Sequence, residues 1–559
     1  MTALDQIPSQ AAGRPLRASR RGWTLVAAVL ATLVVVPVGL VAVSILTPST
    51  DVWALLWRTE LPSMLWTTVA LMASVVAGTL VLGAGLAWLV GHYRFPGQRW
   101  FSWLLVLPLA IPAYVLGFVY LGVLDHPGPV QTALRSGFGD GVWFPEIRSF
   151  PMAVAVLTLA SYPYVYLLAR AALTEQTSAT YEAARVLGYG PVKAAVRVVL
   201  PMARPSLAAG AALVAMETLT DFATVQYFNV QTVSVAVYQV WNGMYDRAAA
   251  AEIASLVLLF AVVVIALERA ARGRARFHQR TGRTVEPVTL TGGRAWAASG
   301  VCSLVLAVAF AGPVVQLVAW TWQAAADDAS QWVDPRYVGY LFNSLLVATL
   351  VAGLCAALAV LLASATRFGD EDRRTARWLA RLTTVGYAVP GPVVAIGVLT
   401  MLAAADTVLD AFGSTLGGVL VTGTLFGLVY AYAVRFLALA YNTVDASLEK
   451  VSPSLTAAAL TLGTKPRGVV RRVHLPLVRS GVGVALALVA VDALKELPIV
   501  LLLRPFGFET LAIWVYQLAS ESRWELAGLP ALTIVVVAVV PVVVLFRRTL
   551  QVPSEGSQR

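Results

Sequence analysis

Residues 182–201 read EAARVLGYGPVKAAVRVVLP, and residues 457–476 read AAALTLGTKPRGVVRRVHLP. The two stretches stand 275 residues apart. Gly188 falls on Gly463, and Leu200-Pro201 falls on Leu475-Pro476. Upstream, Pro112 of LAIPAY matches Pro390 of YAVPGP, and downstream, Tyr238-Gln239 matches Tyr516-Gln517, each after a three-residue shift. A correspondence of this reach means that the chain is a tandem repeat, so one structural argument serves both halves. In each copy the residues before the glycine favour a short helix. The glycine can end that helix in the left-handed conformation, and the later Leu-Pro marks entry into the next element. Small side chains on such a helix let a partner backbone approach closely.

What surrounds the repeat is apolar. Of 559 residues, 58% are hydrophobic and 13% charged, about half the charged share of an ordinary soluble domain, roughly 25%. The mean hydropathy is +0.75. Stretches long enough to cross a bilayer, about 20 residues each, recur at 23–47, 62–91, 101–124, 151–173, 205–226 and 251–267. They recur again at 296–321, 340–364, 378–404, 414–440, 479–503 and 528–546. The expected fold is therefore an all-α integral membrane protein of about 12 transmembrane helices, in two pseudo-symmetric six-helix halves.

The net charge of +11 is distributed between the spans, as expected of cytoplasmic loops rather than of nucleic-acid binding. Arg94 and Arg99, the group Arg185, Lys193, Arg197 and Arg204, and the group Lys465, Arg467, Arg471, Arg472 and Arg479 all fall on one side. The opposite loops hold few basic residues, such as Arg58, Arg135 and Arg247. Both termini are then expected in the cytoplasm. The division reads 1–22 as a basic N-terminus, 23–267 and 296–548 as the two membrane halves, 268–295 as an Arg-rich linker, and 549–559 as a tail. The basic N-terminal segment precedes an apolar run of about 25 residues, longer than a cleaved signal requires, and reads as a retained first helix.

Cys302 and Cys355 lie inside apolar runs as thiols, and the four histidines have no metal-ligand spacing. No Gly-Lys pair occurs, so a phosphate-cradling G-x-x-x-x-G-K-[ST] loop is absent and the chain is expected to bind no ATP or other cofactor. No cluster with catalytic spacing appears, so an enzyme is not expected.

Charged residues inside spans are costly and mark candidate sites. Glu217 and Asp221 are four residues apart; at the same 275-residue offset stand Asp492 and Glu496, with Lys495 beside them. Two readings stand. The carboxylates line a translocation pathway as hard oxygen ligands, or they form a structural network in which Lys495 neutralises a carboxylate.

Glu182-Ala183-Ala184, Gly188 and Leu200-Pro201 resemble the EAA loop of binding-protein-dependent ABC permeases. The second copy, Ala458-Ala459, Gly463 and Leu475-Pro476, departs from it in carrying Ala457 where the first has Glu182. The segments METLTDFATVQYF (216–228), VYQVWNGMYD (237–246) and DALKELPIVLLLRPFGFETLAIWVYQLA (492–519) resemble fused iron(III)-type permeases, which join two permease domains in one chain. The resemblance implies a bacterial cytoplasmic-membrane importer subunit. Its partners would be two separate ATPase subunits, docked on the repeated loops, and a periplasmic or extracellular solute-binding protein. The substrate would be iron(III), or thiamine or another small solute in similar permeases. An ion-gradient-driven secondary transporter is the rival, and it gives no account of two such loops.

Overall fold

The computed structural model describes residues 14–46, 50–175, 186–244, 246–272, 287–327, 334–368, 374–411 and 422–550. These residues are helical almost throughout. The one strand pairing among them joins Tyr93 to Val288 and Arg94 to Thr289, tying the end of the linker back to the first half.

Ten helices are long and apolar enough to cross a membrane among the described residues. The pair Gln98–Ala110 and Ala113–Phe138 is long and apolar enough only when taken together, and it is bent by 89°, the form of a broken span or of a re-entrant loop. The bend sits at Pro112, whose backbone is extended (ψ 144°) and which has no N–H to continue a helix. Its repeat partner Pro390 breaks the chain likewise, between Val385–Ala388 and Gly391–Ala411. The expected span 378–404 is thereby corrected: the membrane helix begins at Gly391, and Arg374–Thr383 is a separate helix before it.

The expected span 205–226 is also shorter than its apolar sequence suggests. Its helix, Arg204–Thr220, has 17 residues and stops at Asp221, which leaves helical geometry (φ −71°, ψ 123°). The repeat partner stops at the equivalent place: Leu475–Lys495 ends at Glu496 with φ −69° and ψ 123°. Each break leads into a short helix, Ala223–Tyr227 or Pro498–Leu503, and then into a second one, Val233–Gln239 or Leu511–Ser520. Thr232 and Thr510 precede those second helices with matching extended backbone. The three-residue shift seen in the sequence is therefore absorbed between Glu496 and Thr510.

The described residues form two compact units, and these do not follow the two sequence halves. One comprises 1–43, 345–499 and 503–506; the other comprises 44–344, 500–502 and 507–559. In the first, the helix Arg14–Ser44 lies against helices of the second half. Gly397 and Gly386 make room for it: a Cβ on Gly397 would lie 2.9 Å from the carbonyl carbon of Pro37, and one on Gly386 would lie 3.2 Å from Val34. The Tyr430 hydroxyl donates to Leu33 O at 2.5 Å. In the other unit, Phe118, Trp320 and Trp524 stack with centroids 6.0–6.3 Å apart, joining the first half to the helices Gly312–Asp327 and Trp524–Leu550. Small residues again allow the close approach: a Cβ on Gly83 would lie 2.8 Å from Tyr162 O.

Candidate functional site

The second repeated loop is described in full. Ser452 caps the helix Pro453–Thr461, its hydroxyl accepting from Ser454 N at 3.3 Å, and Pro453 occupies the first turn, where a missing N–H costs nothing. The helix ends as its sequence predicts. Gly463 adopts φ +81°, Leu462 N donates to Ala458 O at 3.0 Å, and Thr464 N reaches Ala459 O at 3.1 Å. Gly188 adopts the matching φ of +85° in the first copy. Nothing lies within 4 Å of a Cβ built on either glycine, so it is backbone conformation rather than space that calls for glycine there.

Just before each glycine stands a leucine in the open: Leu187 is 78% exposed and Leu462, its partner at the 275-residue offset, 85%. Ala457 and Ala458 are exposed beside Leu462. Glu182, Ala183 and Ala184 lie outside the described residues.

Downstream, each copy passes through a π-helical turn, Ala195–Val199 and Val470–His474. Leu200-Pro201 and Leu475-Pro476 follow directly. The proline lacks the N–H that a regular turn requires, so the widened turn precedes it in both copies. In the second copy His474 points inward from this turn. Its Nε2 lies 3.0 Å from Thr456 Oγ1 and its ring stacks on Phe368 at 5.5 Å, with Trp23 a further 5.8 Å along. Arg367 holds the approach to the loop by donating to Leu448 O at 2.9 Å and Val451 O at 2.7 Å. The exposed helix Pro453–Thr461 is thus fixed by a buried contact to the base of a membrane helix.

The acidic pairs divide between the units. Asp221 accepts from Thr224 N at 2.8 Å and from Thr224 Oγ1 at 2.6 Å, capping the short helix after the break, while its own carbonyl accepts from Ser234 Oγ at 3.0 Å. Glu217 lies in the last turn of the preceding helix, half-buried. In the other unit Lys495 Nζ meets Asp492 Oδ1 at 2.8 Å. Glu496 is buried and faces Arg435 Nε at 3.7 Å, while its carbonyl accepts from the Tyr432 hydroxyl at 3.4 Å. Asp221, Asp492, Lys495 and Glu496 thus each meet a partner within the protein. Arg435 was not anticipated. It sits within an otherwise apolar stretch, LVYAYAVRFLALA, and a lone arginine there was the available signal. Gly391 belongs with the pair, since a Cβ on it would lie 2.8 Å from Glu496 Oε1.

The family profile for the "binding-protein-dependent transport system inner membrane component" matches residues 81–276 and again 356–551, two copies at the same 275-residue spacing as the repeat. The Fe(3+)-transport system permease protein FbpB 2 of Haemophilus influenzae is 26% identical over 499 residues, covering 88% of this chain and 91% of that protein. A putative 2-aminoethylphosphonate transport system permease protein, PhnV, of Salmonella typhimurium is 30% identical over 197 residues, covering 35% of this chain and 69% of its own length. Among solved structures, a chain of a bacterial alginate ABC transporter in complex with its pentasaccharide-bound periplasmic protein aligns over 46% of this chain and 96% of its own. The TM-score there is 0.38 and the identity 17%.

Proposed function

This chain belongs to the family of binding-protein-dependent transport system inner membrane components, matched in both halves, and from that premise we propose that it is the fused channel subunit of an importer for iron(III). It is a multi-pass ABC permease, a membrane subunit for transport rather than an enzyme. The halves 23–267 and 296–548 each supply one permease domain, joined by 268–295. The chain lies in the bacterial cytoplasmic membrane with both termini inside, and a solute-binding protein delivers substrate from the periplasm or the extracellular space.

Two separate ATPase subunits bind ATP; this chain carries no nucleotide or cofactor. They dock on the loops 178–201 and 453–476, where Leu187 and Leu462 expose apolar surface beside a left-handed glycine. Burying such a leucine against a partner stabilises the contact by about 1.5–3 kcal/mol. Movement of the docked subunits passes into the membrane helices through rigid joints, the Thr456–His474 contact and the Arg367 clamp among them. Alternating access follows: closure of the ATPases opens the pathway to the outside, and hydrolysis resets it. Ala457, in place of the first copy's Glu182, makes the two docking sites unequal.

Iron(III) rests on one observation, the match to an Fe(3+) permease across nearly the whole chain. The test is uptake of radiolabelled iron(III) by iron-starved cells with and without the gene. Uptake that falls on deletion and returns with the gene is expected. Unchanged uptake rejects iron and turns the search to thiamine and other small solutes.

A further inference from the structure

Within the unit formed by 1–43, 345–499 and 503–506, a cavity of about 430 Å³ opens among helix ends. Its charged lining is Arg367, Arg377, Arg381, Asp445 and Glu449, with Tyr441 between. Arg367 is in the last turn of the span Arg336–Phe368, and Asp445 and Glu449 close the span Leu425–Glu449. The cavity therefore lies where membrane helices end, at the level of lipid headgroups.

The charges are sorted. Arg377 and Arg381 stand four residues apart on Arg374–Thr383, on the face that also turns Ala380 to the cavity. Asp445 and Glu449 stand four apart on a different lining helix, Leu425–Glu449. Among the described residues no ion pair joins either arginine to either carboxylate. Arg367, also in the lining, is held by the carbonyls of Leu448 and Val451. With Arg367 engaged by backbone carbonyls, two cations on one helix and two anions on another are left to face a ligand, which fits a phosphate at one end and an ammonium at the other. Trp378, adjacent to Arg377 and 63% exposed, puts an amphipathic ring at the same depth, where aromatic residues mark the membrane–water boundary.

We propose that this cavity binds a phosphoethanolamine group, the headgroup of phosphatidylethanolamine, with Arg377 and Arg381 on the phosphate and Asp445 and Glu449 on the ammonium. Basic pockets between membrane helices are known to take lipid headgroups; the acidic wall here selects the zwitterion over an anionic lipid.

The test reconstitutes the full chain into nanodiscs of equal parts phosphatidylethanolamine and phosphatidylglycerol, then counts lipids retained after gentle detergent extraction by native mass spectrometry. Wild type is expected to retain phosphatidylethanolamine preferentially. Arg377→Ala with Arg381→Ala should lower that preference about tenfold, while Arg374→Ala, outside the cavity lining, leaves it unchanged. Asp445→Asn with Glu449→Gln should turn the preference toward phosphatidylglycerol, a reversal that misfolding cannot produce. Equal retention of the two lipids by wild type, or an unchanged preference in the double arginine variant, overturns the proposal. Binding of free O-phosphoethanolamine to delipidated protein without any lipid preference assigns the cavity to a soluble solute and overturns the lipid source.

Discussion

Arg435→Met isolates the buried charge pair. Arg435 and Glu496 side chains are 10% and 9% exposed, with Nε and Oε2 3.7 Å apart. Removing the guanidinium leaves Glu496 desolvated beside Gly391, whose missing side chain is what lets the pair fit. Breaking one partner of such a pair costs about 3–5 kcal/mol, whereas replacing both by apolar groups of similar volume is often neutral. Arg435→Met alone and Glu496→Met alone should each lower the thermal unfolding midpoint in detergent. The double variant should be more stable than either, a coupling that only interacting residues show. Fluorescence-detected size exclusion after heating gives all four midpoints. A single variant within about 0.5 kcal/mol of wild type, as at an unconstrained surface site, or a double variant whose losses simply add, refutes the pairing.

Further outcomes follow from the same contacts. Gly463→Ala and Gly188→Ala each force a side chain into left-handed backbone, at about 1–2 kcal/mol; membrane insertion should be normal while co-purification of the ATPase falls. Gly188→Asp strains the backbone less but sets a charge beside the exposed Leu187, and should lower co-purification by that route. Thr456→Val removes a buried contact to His474 and should cost about 1 kcal/mol; hydrogen exchange in 453–461 should quicken while the membrane helices stay protected. Asp221→Ala removes a helix cap at about 1–2 kcal/mol, whereas Asp221→Asn keeps most of it. If Asp221 serves only as a cap, transport should survive Asn in proportion to stability; loss of transport in a stable Asn variant would return the carboxylate to the pathway.

The repeat was legible because its physics is carried by residues with few substitutes. A left-handed cap at Gly188 and Gly463 and helix breaks at Pro112 and Pro390 each leave a fixed letter in the sequence. The early end of Arg204–Thr220 was not legible, because FATVQYF after Asp221 is apolar enough to pass as the same span. The π-helical turns before Leu200-Pro201 and Leu475-Pro476 carry no signature beyond the proline that follows them. The grouping of Arg14–Ser44 with second-half helices could not be read either: periodicity shows which face is buried, as at Ala27, Leu30, Ala31 and Val34, but not against what. Arg435 was hidden by averaging, since its span, Leu425–Glu449, still has a mean hydropathy of 1.3.

Cysteine cross-linking tests the central claim, that the two repeated loops are where this permease takes its drive. The native Cys302 and Cys355 are buried and unbridged, so exposed engineered cysteines can be addressed selectively. Leu187→Cys and Leu462→Cys, labelled with a maleimide–benzophenone reagent that inserts into C–H bonds of a neighbour on illumination, should each cross-link to the co-expressed ATPase subunit, and ATP should change the yield at both. Absence of cross-linking at both positions in a complex that still transports would contradict the account.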